Sequence, residues 1–201
     1  MKKNLLTLFA ATAMLVSCGT KEEPKNELEA AEMESEELIS GEADSPIAFN
    51  DGLVGHVDMS EVHLAELYDL DDQDVPGEEM ETAAKKIIDD LDERIAGLEK
   101  VTPVGKGGQT FLDAAIDQLK STRALAKVYF DYSDDLAIPD MEWSDEMAEE
   151  WDMAIDALYE QYDNTFDALE SAQSTYASYQ DMDIIESDVT IEDMYEQSKE
   201  D

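Results

Sequence analysis

Apolar residues recur at alternating steps of three and four along four separate stretches of the 201-residue chain, and this spacing dictates helices. The last stretch is the most regular: Trp151, Ile155, Leu158, Tyr162, Leu169, Ala172 and Tyr176 share one face, with only Thr165 interrupting. Ser144 stands where an N-cap belongs, so the spacing predicts a helix from Ser144 to about Gln180. Met80, Ala84, Ile87, Ile88, Leu91, Ile95 and Leu98 form a second stripe, with Lys85, Asp89, Asp90 and Glu93 outside it. A third runs through Leu112, Ala115, Ile116, Leu119, Ala126 and Phe130. The earliest begins at Ser45-Pro46, a serine that can cap followed by a proline suited to the first helical position. It continues through Phe49, Leu53, Val57, Leu64 and Leu67, although Gly52 and Gly55 each cost about 1 kcal/mol in a helix interior. Asp71 to Gly77, Pro103 to Gly108 and Asp131 to Pro139 carry turn residues and supply the connections. No stretch alternates as a strand would. The expected fold is all-α, an up-down-up-down four-helix bundle with a long C-terminal helix.

The N-terminus has a different character. Lys2 and Lys3 precede an apolar run from Leu5 to Val16, too short for a permanent membrane span and suited to a secretory signal. Leu15, Val16 and Ser17 stand immediately before Cys18, and this box resembles the lipobox of bacterial lipoproteins. The resemblance implies cleavage before Cys18, acylation of that cysteine, and a membrane partnership through the lipid. Two or more acyl chains make such an anchor stable. Lys21-Glu22-Glu23, just beyond, resembles the signal that carries lipoproteins of the Bacteroidota to the outer face of the outer membrane. Cell-surface display is therefore expected, with the periplasmic face of the outer membrane as the alternative.

Charge organises the rest of the chain. Asp and Glu number 52 against 13 Lys and Arg, a formal charge of -39, which removes nucleic acid from the expected partners. Residues 1–17 read as signal peptide and 18–44 as lipidated cysteine and acidic tether. The tether is expected to be disordered, because its glutamates repel and few large apolar groups oppose them. The bundle spans 45–185, and 186–201 form an acidic tail whose Ile191, Met194 and Tyr195 suffice for one docked turn.

This layout resembles a family of small, uncharacterised helical surface lipoproteins of the Bacteroidota and spirochaetes. The resemblance lies in Phe49-Asn50-Asp51 with Leu53 and Val54, and in Ala172-Gln173 followed by Tyr176 and Ala177. It implies fold and location, and no catalytic residue.

Residues able to do chemistry are few. His56 and His63 lie two turns apart on one side of a helix, and Glu66 lies one turn beyond; together they are a candidate metal site. His63-Leu64-Ala65-Glu66 is similar to the His-x-x-Glu core of imelysin-type bundles, with Glu61 where that motif has glycine. The competing reading makes both histidines boundary residues of the core. Asp69, Asp71, Asp72 and Asp74 invite calcium, but the glycine and glutamate an EF-hand loop requires are replaced by Asp74 and Met80. The acidic run from Asp131 to Asp135 reads as a solvated turn. Gly105-Lys106-Gly107-Gly108-Gln109-Thr110 lacks the lysine-serine or lysine-threonine step of a phosphate loop. No nucleophile elbow occurs, and Cys18 is taken by lipid. The expectation is a non-enzymatic protein without cofactor, surrounded by diffusely held cations and interacting with an unknown protein or polymer. Trp143, Trp151, Tyr159, Tyr162, Tyr176 and Tyr179 are expected at the core, its edge or a partner-binding stripe.

Overall fold

The computed structural model describes residues 24–73, 75–136, 144–184 and 189–199. The signal peptide and Cys18, with Lys21-Glu22-Glu23, Asp74 and Trp143, lie outside the described residues. Seven helices form among them: α1 Glu27–Ser40, α2 Pro46–Asp72, α3 Gly77–Leu98, α4 Gly108–Asp131, α5 Ser133–Leu136, α6 Asp145–Gln180 and α7 Ile191–Ser198.

Local chemistry accounts for the boundaries. The Ser45 hydroxyl accepts from the amide of Ala48, and Pro46 follows it into α2. Ser144 accepts from the amide of Met147 and opens α6, whose 36 residues make it about 54 Å long. Gly107, at φ +86, turns the chain into α4. Thr190 and Asp193 exchange hydrogen bonds in a capping box that starts α7.

Side-chain pairs fix the directions of the four long helices. His56 meets Arg94 and His63 meets Asp90, so α2 and α3 run antiparallel. Arg123 binds Asp92 with both ends of its guanidinium, joining antiparallel α3 and α4. Phe111 packs against Tyr176 and Tyr129 against Trp151, which makes α4 and α6 antiparallel. Phe49 meets Phe111 and Tyr68 meets Tyr129, so α2 and α4 are parallel. The up-down-up-down bundle follows, with Phe49, Leu53, Leu67, Leu91, Leu119 and Tyr176 fully enclosed in its core.

Two segments differ from expectation. Residues 27–40, expected within a disordered tether, form α1 and pack on α2. Asn26 caps it by accepting from Glu29, and Gly41 at φ +80 ends it. Its contact face is made of small groups and one leucine, Ala30, Ala31, Ser35 and Leu38. They suffice because Gly52 and Gly55 let the α1 backbone approach: a Cβ on Gly55 would stand 2.5 Å from the Ala31 carbonyl oxygen. The packed domain therefore begins near Glu27 rather than Ser45. In the acidic tail, Ile191, Met194 and Tyr195 dock as expected, but as the eight-residue helix α7 rather than one turn, closing a second apolar cluster with Ala31, Met59, Val62 and Ala65. Covered by α1, α3, α4 and α7, helix α2 is central and is buried on more than one face. Among the described residues no helix is long and apolar enough to cross a membrane.

Candidate functional site

Helix α2 carries the polar residues that sequence singled out, and the structure distributes them among different neighbours. His63 Nε2 lies 3.0 Å from Asp90 Oδ2 on α3, and Arg94 Nε lies 2.5 Å from the same oxygen. Arg94 Nη1 in turn stands 3.4 Å from His56 Nδ1. The two histidines thus join a chain His63, Asp90, Arg94, His56 that ties α2 to α3. Burial alone would raise the Asp90 carboxyl, but hydrogen bonds from His63 and Arg94 and the guanidinium charge outweigh it, holding Asp90 well below the usual carboxylate range. His56 is only 1% exposed, and burial with the charge of Arg94 lowers it to about 3, so it is neutral. Glu66 remains half-buried on α2. A guanidinium beside His56 opposes a second cation there. Among the described residues no group of three or more His, Cys, Asp or Glu is placed to hold a metal ion.

The acidic turns are also committed. Asp69 Oδ2 accepts from the Tyr195 hydroxyl at 2.8 Å and lies 3.3 Å from Lys199, so it fastens α7 rather than opening a calcium loop. Asp131 pairs with Lys127, while Asp134 and Asp135 occupy the first turn of α5. In the glycine loop, Lys106 lies over the Tyr179 ring at 3.7 Å and its carbonyl accepts from Gln180. That loop therefore braces the end of α6. Trp151, Tyr159, Tyr162 and Tyr176 join the core or its edge, whereas Tyr179 is 49% exposed.

One cluster was not singled out as a site in the sequence. Glu61 projects from α2 into the core and is 5% exposed. Its Oε2 accepts a short hydrogen bond from the Tyr162 hydroxyl of α6, and its Oε1 accepts from Gln118 Nε2 of α4 at 3.4 Å. The Thr165 hydroxyl of α6 donates to Gln118 Oε1 at 2.6 Å. Three helices are thereby joined through one carboxyl group. Burial pushes Glu61 up to about 7 against the opposing effect of its two donors. The only signal in sequence was a glutamate beside an apolar stripe, in a chain where glutamate is abundant.

Thr165 also lines a surface groove of about 570 Å³ between α4 and α6. Ala114, Ala157, Ala168 and Ala172 keep it open, and Asp113, Asp117 and Glu160 border it. Chemically, this arrangement offers short apolar walls and anionic edges. Compared with known protein families, curated proteins and solved structures, the chain matches none.

Proposed function

We propose that this chain is a lipid-anchored outer-membrane protein, displayed at the cell surface, whose non-enzymatic helical bundle binds a partner through an exposed face. The observation that carries the interaction reading is the α4–α6 groove, where alanines expose the helix surfaces between Asp113, Asp117 and Glu160. Charge complementarity favours a cationic group on that partner. His56, His63, Asp90 and Glu61 support the same reading, because their bonding joins helices to one another. The anchor rests on the Leu15-to-Cys18 box and the apolar run before it.

Mild crosslinking on intact cells, followed by identification of the captured molecule, tests the interaction. Asp113→Lys with Asp117→Lys should abolish capture while leaving the helical circular dichroism unchanged. Capture that survives both substitutions would move the interaction elsewhere. Mass spectrometry of the mature chain should find an acylated Cys18 at its start, and an unmodified terminus elsewhere would remove the anchor. Protease shaving of intact cells separates the outward from the periplasmic orientation.

A further inference from the structure

Four acidic residues lie along the contact of α1 with α2, close enough that Glu34 feels the charges of Asp51 and Glu27, and Asp58 those of Glu34 and Glu27. Glu27 and Glu34 stand two turns apart on α1, and Asp51 and Asp58 stand two turns apart on α2. The helices approach closely, since a Cβ on Gly52 would lie 2.6 Å from Leu38 Cβ and 2.9 Å from the Glu34 carbonyl oxygen. Asp58 is 5% exposed, and its Oδ2, like Glu27 Oε2, is buried without a hydrogen-bond partner. Among the described residues, Arg94, Lys25 and Lys199 each bind a carboxylate other than these four. Arg94 of α3 holds Asp90 and faces His56, Lys25 pairs with Glu29, and Lys199 of α7 binds Asp69 and Glu196. Helix α7 covers the adjoining surface with Ile191 and Met194. A carboxyl group buried without a donor or cation is tolerated only while it carries a proton.

We propose that α1 is a proton-held strap, lying on α2 while Glu34 and Asp58 are protonated and lifting away when they ionise. Burial, with the charges of Asp51, Glu27 and Glu37, pushes Glu34 up to about 8. Burial, with Glu61, Glu34 and Glu27, raises Asp58 well above the usual range, and burial takes Asp51 to about 6. His56, also near this contact, is already neutral and changes nothing as pH rises. Release therefore belongs to the neutral-to-alkaline side. Most of the four-helix core lies beyond α1, which contributes Leu38 to it, so the strap can open without unfolding the bundle. Opening frees the helix Glu27–Ser40 and lengthens the chain between the bundle and its first residues. That this alters the reach from a membrane rests on the lipid-anchor reading; the docking itself does not.

Hydrogen exchange on the full mature chain tests the strap. After correction for intrinsic rates, moving from about pH 5 to about pH 8.5 should reduce protection of residues 28–40 by about tenfold or more, while α3 and α4 stay protected. Glu34→Gln, neutral at every pH, should keep α1 protected at the higher value. Asp58→Asn should act in the same direction, and if it fails to fold, Glu34→Gln decides. Equal protection at both values, loss shared with α3 and α4, or release of Glu34→Gln at the parent's pH would each overturn the proposal. So would calcium restoring α1 protection at the higher pH, because the strap would then be metal-held. Mass spectrometry of Cys18 judges the anchor independently.

Discussion

Glu61 and Tyr162 form a bond whose value depends on the charge of the glutamate. When Glu61 is ionised, the Tyr162 hydroxyl and the Gln118 amide are its donors inside the core, so removing the hydroxyl leaves a buried charge short of a partner. Tyr162→Phe should therefore destabilise the fold by about 1–3 kcal/mol, more above the Glu61 titration near 7 than below it. Urea denaturation on both sides of that pH checks this, and a cost independent of pH would contradict it. Such a residue is hard to find in sequence because its partners are 57 and 101 positions away. His56 and His63 lie on one side of a helix as their spacing requires, but spacing says nothing of what faces that side: Asp90 and Arg94 of α3 each take up one ring nitrogen, and the ion pair between Asp90 and Arg94 lies within α3.

Among the elements, α2, α3, α4 and α6 were legible because each shows its apolar stripe and stop signals within its own sequence. Helix α1 was not, because its stability is written partly in another segment. Counting large apolar groups between Thr20 and Ser45 suggested a solvated tether, whereas a backbone contact through Gly52 and Gly55 needs only Ala30, Ala31, Ser35 and Leu38. The same glycines looked costly when α2 was judged alone. Their role predicts a reversal of ordinary helix propensity: Gly55→Ala, favourable by about 1 kcal/mol in an isolated helix, should lower the stability of this protein. The added methyl would meet the Ala31 carbonyl 2.5 Å away, and backbone on both sides has little freedom to yield. Thermal melts of Gly55→Ala against the exposed control Glu36→Ala measure the effect. An unchanged or raised Tm for Gly55→Ala would mean that α1 does not depend on this contact.

For the whole molecule, raised carboxylates make stability respond to pH in an uncommon direction. Glu34, Asp51 and Glu61 are raised to about 8, 6 and 7, so the folded state holds protons that the unfolded chain has released. Their contribution is complete below the unfolded values and is lost as pH rises through the folded ones. His56, lowered to about 3, and Asp90, held low by its partners, act oppositely and take stability away toward acid. The balance places the maximum near pH 4–5, and urea midpoints should fall steadily from there to about pH 8.5. A maximum at or above neutrality would show that these groups do not govern stability. The net charge of -39 adds a second dependence, since self-repulsion is screened over about 8 Å at physiological ionic strength. Stability should rise with sodium chloride, and calcium and magnesium should act alike at matched ionic strength; a saturable calcium heat with defined stoichiometry would instead reveal a specific site. One contact bears on mechanics. The Leu28 amide donates to the Gln197 side chain at 3.4 Å, so the start of α1 and the end of α7 are clasped together beside α2. A pull on the first residues reaches this clasp and the start of α1 before it reaches the bundle, and antiparallel helices loaded from one end peel turn by turn. Stretched from its N-terminus, the molecule should lengthen first at low force by shedding α1, a fuse that spares the four long helices behind it.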